Sequence, residues 1–376
     1  MASSDVRASL SQPSIGGATV IGTGLPQGNA TPSRQWMPEQ VLFTPAALEE
    51  SWGQQILTRV ERLGLPVKPL AQNRVTGLRG KTERETYRMA KQTLAVVVAP
   101  PGQLKLSPIP PSADWQFHLA QGCPAHCQYC YLAGSLQGPP VVRAYANLPQ
   151  ILDNLRHYRS TERITTFEVS CYTDPLGIEH LTGSLAECIR YFGTQDGAHL
   201  RWVSKFDQVE ALVGLPHNGR TRCRFSVNAR AVSHFLEGGT ADVVQRLRAL
   251  RKLALPPSQG GGGYPVGLVI APIMPLDHWQ QEYGTLFNQI EDALDFDCDL
   301  TFELISHRFT PKSKAVLEQW YPNSRLNLDE SDRSVKRNKF GGIKHVYNSK
   351  TMRSLKAFFE SEISRRFPQA KLLYWT

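Results

Sequence analysis

Apolar residues recur along this chain at two spacings. From Ala46 to Leu63, AALEESWGQQILTRVERL carries them at helical intervals, and Gly64 stands where a C-terminal cap belongs. Lys91–Ala99, KQTLAVVVA, has the dense β-branched run of a strand, and a Pro-rich connector over 100–111 separates it from a more regular array. In that array short apolar runs alternate with longer amphipathic segments. The predicted strands are Trp115–Leu119, Thr166–Ser170, His199–Ser204, Arg222–Val227, Val266–Ala271 and Leu300–Ile305. The predicted helices are Leu148–Tyr158, Ile178–Phe192, Val209–Val213, Ala241–Leu253 and Trp279–Ala293. Repeated strand–helix units predict an α/β fold with a parallel sheet, and six of them predict a partial (β/α)6 barrel, TIM-like and open. In such barrels chemistry gathers where strands end at their C-terminal edge.

The same pattern divides the chain. Residues 1–35, rich in Ser, Gly, Ala, Thr and Pro, hold too little apolar surface to offset their ordering entropy and read as a disordered tail. The opening MASSDVRASLSQ has the Ser-rich, acid-poor flavour of a transit peptide, but the plain tail is the simpler reading. Residues 36–112 form a helix and strand extension, 113–310 the partial barrel, and 311–376 a C-terminal segment. PPSQGGGGY at 256–264 reads as a flexible surface loop.

Composition narrows the class. No apolar run of the 376 residues is long enough to cross a bilayer, so the expectation is a cytoplasmic protein without a membrane partner. A formal net charge of +9 favours a polyanion, nucleic acid being the commonest. The seven cysteines are odd in number and three are clustered, which argues against a disulfide framework and for metal-binding or reactive thiols.

Those three lie in GCPAHCQYCY, residues 122–131, at spacing C-x3-C-x2-C just after the first predicted strand of the array. A tetrahedral structural zinc site needs four ligands, commonly two C-x2-C pairs, and only His126 is at hand to complete one. An electron-transfer ferredoxin wants a fourth cysteine. Three thiolates suit a 4Fe–4S cluster that keeps one iron open. The spacing, with an aromatic before the last cysteine, resembles the signature of radical S-adenosylmethionine enzymes, in which the open iron chelates S-adenosylmethionine and reduction releases a 5′-deoxyadenosyl radical.

From about Trp36 to the C-terminus the chain further resembles the spore photoproduct lyase family, radical enzymes that revert 5-thyminyl-5,6-dihydrothymine in DNA to two thymines. ALEESWGQQILTRVERLG, GCPAHCQYCYL, FEVSCYTDPLGIEHLTGSL, VSKF, RFSVN, VIAPIMP and ELISHRFTPKSK carry the likeness. The resemblance implies a DNA-repair lyase on a barrel of the radical S-adenosylmethionine type, with a 4Fe–4S cluster on Cys123, Cys127 and Cys130. It implies S-adenosylmethionine among Thr173, Lys205, Ser226 and Asn228, with Ala271 near the adenosyl part. The superfamily's glycine-rich motif is not evident, and Thr173 and Asp174 stand where it would fall. Cys171 is implied to return a hydrogen atom to the product radical, a task for which a thiol S–H is weak enough; on the residues alone a free cysteine more often only packs. Tyr129 and Tyr131 are implied to relay hydrogen, with shielding of the cluster as the plainer alternative. Cys188, Cys223 and Cys298 read as packing residues.

SVKRNKFGGIKHVYNSK, residues 334–350, carries five Lys/Arg and no acid. It predicts a basic β-hairpin turning at Gly341-Gly342. Lys336, Arg337, Lys339 and Lys344 would meet phosphates of UV-damaged DNA, Phe340 would wedge beside an extruded lesion, and Arg308 would contact a phosphate or pair with an acid such as Glu303. The family has Arg-Tyr where this chain has Lys339-Phe340. Two other readings compete: a radical enzyme acting on a different nucleic-acid lesion or an RNA base, and a non-catalytic iron–sulfur or zinc module that binds nucleic acid. The favoured reading also calls for an electron donor such as ferredoxin or flavodoxin, and for a monomer.

Overall fold

The computed structural model describes residues 33–136, 138–337 and 342–376. The tail call over 1–35 therefore falls almost wholly outside the described residues. Among those described, no helix is long and apolar enough to cross a membrane.

A first sheet runs in the order Val67–Pro69, Gln40–Phe43, Thr93–Val97, Val142–Tyr145, all parallel, and Ala120–Gln121 closes it antiparallel. The single helix predicted over Ala46–Leu63 is two, Pro45–Glu49 and Ser51–Arg62, because Glu50 is extended (φ −79°, ψ 134°). The second helix doubles back so closely that a Cβ on Gly53 would sit 1.8 Å from the Ala47 carbonyl oxygen. It buries Trp52, Ile56 and Val60 at four-residue intervals, each contributing about 1.5–3 kcal/mol by removal from water. Gly64, at φ +69°, ends it in the left-handed cap that its position predicts.

The second sheet holds the array. Strands β1 (Ser107–Ile109), β2 (Ala113–Phe117), β3 (Thr165–Val169), β4 (Ala198–Ser204), β5 (Thr221–Val227), β6 (Val266–Ile273), β7 (Leu300–Ser306) and β8 (Lys371–Trp375) pair in chain order. From β2 to β8 every pairing is parallel; β1 alone is antiparallel. A parallel sheet whose order follows the chain winds in one direction, as half-barrels do, whereas a doubly wound sheet reverses at a switch point. The six predicted strands match β2 to β7. The helix predicted over Val209–Val213 is only a 3-10 turn, Glu210–Leu212. That over Ile178–Phe192 breaks at Gly183, φ +66°, where a Cβ would meet the Arg59 guanidinium at 2.7 Å. The Gly-rich loop at 256–264 is knitted in, not loose: Gly261, Gly262 and Gly263 donate to carbonyls of Pro256, Lys252 and Leu255, and buried Tyr264 stacks on His217 at 3.7 Å.

One contiguous apolar core runs from Val41 and Phe43 of the first sheet through Phe117, Phe167 and Phe225 to Phe359 of the C-terminal helix. Cys188 and Cys223 are wholly buried in it.

Candidate active site

The three clustered cysteines lie on a segment strung between the two sheets. It leaves the first sheet at Ala120–Gln121 and turns at Gly122, φ +79°, where a Cβ would strike the Val141 carbonyl oxygen at 2.3 Å. It then pairs His126–Cys127 antiparallel with Glu237–Gly238. From beneath, buried Lys91 donates through Nζ to the carbonyls of Cys123 and Ala125. Tyr87, one helical turn before Lys91, hydrogen-bonds His126 Nδ1 at 2.9 Å and also meets the Tyr321 hydroxyl.

Cys123, Cys127 and Cys130 stand close enough to influence one another's ionisation. Burial pushes the Cys123 thiol up to about 12 and raises the other two as well, while Lys91 and Lys205 pull back toward the thiolate. Thiols held this way need a bound cation to lose their protons. Among the described residues no three His, Cys, Asp or Glu side chains are gathered tightly enough to hold one metal ion, and His126 spends Nδ1 on Tyr87. Ligands of one cluster each take a different iron and stand further apart than ligands of one ion. The donor set therefore fits a cluster better than a single zinc.

Beside the segment lies a buried charge network. Lys205, just past the end of β4, donates through Nζ to Ser226 Oγ at 2.7 Å, Glu237 Oε1 at 2.9 Å and the Ala271 carbonyl at 3.4 Å. Arg246 faces the other Glu237 oxygen at 2.6 Å, and the Tyr129 hydroxyl donates to Glu237. Burial alone would raise the Glu237 carboxyl, but Lys205 and Arg246 outweigh it and hold it down to about 2. The predicted residues Lys205, Ser226 and Ala271 are thus brought together. Asn228 stands next along β5's end with both side-chain groups engaged: its amide donates to Pro272 O at 2.7 Å and its oxygen accepts from Tyr283 at 2.8 Å.

The turn after β3 carries the next group. Ser170 sits at φ +61°, a left-handed conformation uncommon for any residue but glycine. Its amide donates to Phe117 O and its hydroxyl accepts from Leu119 N, which locks this turn to the end of β2. Cys171 follows, largely buried, its thiol raised by burial and further by Glu168, with Arg224 opposing. Tyr172 is near enough to Tyr131 and to Cys171 for both to oppose its ionisation, and its ring rests 4.8 Å from that of His118. Thr173 Oγ1 is buried without a partner. An orphaned hydroxyl at this edge suits a polar ligand. Asp174, in contrast, is fully committed: it accepts from Ser204 Oγ at 2.8 Å, Lys205 N at 2.8 Å and Gly177 N at 3.2 Å, tying this turn to β4. Tyr131 is 60% exposed, so it is not a lid pressed over the cysteines.

In the basic segment Arg333–Arg337 pairs antiparallel with Ile343–Tyr347, and the predicted turn at Gly341-Gly342 falls partly outside the described residues. Lys339 and Phe340 lie outside the described residues. Lys336 stands directly across from Lys344, a like-charge pairing that is unfavourable unless an anion joins it. Burial lowers the Lys344 ammonium, and Arg308 and Lys336 lower it further. Arg308 is thus grouped with hairpin cations and does not pair with Glu303, whose carboxylate is taken by Arg201, Arg224 and Tyr374. Arg337 is exposed. His307 is buried under Arg333 and helps to line a cavity together with Met274, Leu326 and Tyr347.

Sequence reasoning missed Lys91, Tyr87, Glu237 and Arg246. Each is a lone charge or phenol in an otherwise ordinary segment. Only Arg246 left a trace, on the apolar side of VVQRLRALRKLA, where it is fully buried.

The model of one protein family, described as spore photoproduct lyase, matches residues 36–376. A spore photoproduct lyase of Geobacillus sp. is 41% identical over 349 residues, covering 91% of this chain and 100% of that protein. That of Bacillus subtilis is 38% identical over 346 residues, covering 91% and 99%. Among solved structures, a spore photoproduct lyase double mutant with bound AdoMet and dinucleoside spore photoproduct superposes with a TM-score of 0.85 at 38% identity, over 91% of this chain and 100% of that one. A spore photoproduct lyase complexed with dinucleoside spore photoproduct gives the same figures.

Proposed function

The chain belongs to the spore photoproduct lyase family, and from that premise we propose how its own residues carry out the family's reaction. It is a radical S-adenosylmethionine lyase of DNA repair, using a 4Fe–4S cluster and S-adenosylmethionine to revert spore photoproduct to two thymines. When bound, these cofactors supply a 5′-deoxyadenosyl radical that takes hydrogen from C6 of the lesion.

Cys123, Cys127 and Cys130 hold the cluster. Thr173, Lys205, Ser226, Asn228 and Ala271 surround S-adenosylmethionine, the Thr173 hydroxyl taking up the partner it otherwise lacks. Asp174 acts at one remove, by fixing Thr173 and Lys205 relative to each other. Glu237 holds Lys205 in place. Cys171 gives its S–H hydrogen to the thymine methylene radical: the S–H bond breaks evenly, a methyl C–H forms, and a thiyl remains. Tyr131 would return hydrogen to that thiyl from its phenol O–H, and the phenoxyl so left would regain its hydrogen from the adenosyl group of the cofactor. Tyr129, donating to buried Glu237, supports the site and joins the relay only through that bond.

Arg308, Lys336, Arg337 and Lys344, joined by Lys339 and Phe340 as the sequence alone suggests, grip the backbone of UV-damaged DNA while the lesion is extruded toward Cys171. The chain is read as a cytoplasmic monomer fed by a protein electron donor. Its parallel strands are read as the partial (β/α)6 barrel, preceded by an extension over 36–112 and followed by a hairpin-bearing segment from 311.

The observation that carries this reading is three mutually close thiols set against Asp174, Lys205 and Glu237, beside the turn where the Thr173 hydroxyl is buried and unpaired and Cys171 follows β3. Anaerobic reconstitution followed by dithionite reduction should yield 5′-deoxyadenosine, and synthetic spore photoproduct dinucleotide should then release thymidylyl-thymidine. An enzyme that cleaves S-adenosylmethionine but leaves this dinucleotide intact would point to another lesion. A preparation needing no S-adenosylmethionine would leave only a binding module.

A further inference from the structure

The helix Glu83–Lys91 has two unlike faces. Its inner face holds the cysteine segment: Lys91 donates to the Cys123 and Ala125 carbonyls, and Tyr87 bonds His126. Its outer face and the loop before it carry Arg74, Arg79, Lys81, Arg84 and Arg88, all exposed. None of the five is in an ion pair with a described residue. The two acids nearby are turned to local tasks. Glu85 accepts from the Lys81 amide at 2.7 Å, and Glu83 faces Trp320 Nε1 at 3.5 Å. With five cations to these two acids, the patch is a net cationic surface.

Aromatic rings connect this surface to the cysteines. Trp320, half-buried at the patch margin, lies 4.9 Å from the Tyr87 ring, and Tyr87 lies 5.9 Å from His126, between two of the clustered cysteines. One helix thickness, about 10 Å, separates the outer cations from the segment that would hold the cluster.

We propose that this face docks an acidic electron-carrier protein, a small flavin or iron–sulfur protein, and that electrons pass through the packed rings of Trp320, Tyr87 and His126. The proposal rests on the function assigned above and assigns its reductant a surface. In each transfer the carrier loses one electron and the cluster gains one; no bond is made or broken. Charge complementarity selects an acidic partner and speeds encounter at low salt. DNA is the other polyanion to consider, but its phosphates have a cationic group of their own in Arg308, Lys336 and Lys344. The patch belongs instead to the element that touches the cysteine segment from behind.

The test uses the full chain and its Arg84→Glu/Arg88→Glu variant, with Arg84→Gln/Arg88→Gln as the milder pair should the first fold poorly. Flavodoxin binding, duplex DNA binding and 5′-deoxyadenosine formation are measured side by side. Flavodoxin should bind the charge-reversed chain about tenfold more weakly at low salt, with the difference shrinking as salt rises. DNA affinity and dithionite-driven 5′-deoxyadenosine formation should be unchanged, while flavodoxin-driven formation falls. Unchanged flavodoxin affinity would overturn the proposal, and so would a loss of DNA affinity in its place. Failure of the wild type to make 5′-deoxyadenosine even with dithionite would strike the assigned function instead, and the binding comparison would still decide the docking surface.

Discussion

The two groups of thiols at the candidate site differ in the charges that face them. In the segment Cys123–Cys130, Lys91 and Lys205 favour the thiolate at Cys130, Lys91 outweighs Asp174 at Cys123, and at Cys127 Glu237 outweighs Lys205. In the turn after β3, Cys171 faces the Glu168 carboxylate first, which favours the thiol, and Arg224 opposes it more weakly. A metal ligand must give up its proton; a hydrogen-atom donor must keep it. Burial is common to both, and what separates them is the pair of lysines that favours the thiolate at Cys123 and Cys130 and has no counterpart ahead of Glu168 at Cys171.

The largest break in this comparison is Cys127→Ala. Loss of one of three ligands should abolish cluster assembly and 5′-deoxyadenosine formation together, read as iron and sulfide content and as nucleoside yield. Cys171→Ala should be subtler. S-adenosylmethionine cleavage and scission of the lesion continue, but clean thymidylyl-thymidine falls by about tenfold or more in favour of adducts with reductant or solvent. Clean repair by this variant would remove Cys171 from its role.

Glu168→Gln sharpens the comparison further by removing the carboxylate that weighs most on the Cys171 thiol. A raised thiol pKa means the protonated form dominates until the pH climbs through it. Wild-type repair should therefore stay clean as the pH rises through the range where ordinary thiols ionise, about 8.5. In the variant the thiolate appears earlier, and the alkaline loss of clean product moves to lower pH, followed by chromatography of products across pH. Arg224 keeps Glu303 at 2.7 Å, so it is not left unpaired. The smallest effect belongs to Cys188→Ala, a core truncation of about 1 kcal/mol in urea unfolding with repair unchanged.

The sequence made the array of strands legible because each barrel strand is a short, dense apolar run that a surface loop cannot imitate. The cysteine spacing likewise needs no tertiary knowledge. What escaped were groups whose meaning comes only from partners distant in the chain. Glu237 meets Tyr129 from 108 positions away, and Lys91, placed in a predicted strand, ends the helix that supports the cysteines. A buried charge reads in sequence like a solvated one. The split at Glu50 was hidden for a related reason, since apolar spacing continues across it and only the backbone angles change. Asp174 shows the reverse: its position beside Thr173 suggested a ligand contact, and nothing in the sequence announced the three hydrogen bonds by which it also braces the turn against β4.

The claim that Cys171 supplies the final hydrogen is tested most directly by repair in D2O, where an exchangeable S–H becomes S–D. The released thymidylyl-thymidine should carry one deuterium in the methyl group that was the bridging methylene, detected by mass spectrometry. A product without deuterium would mean that the hydrogen came from a non-exchanging carbon, and the thiol would have no part in the last step.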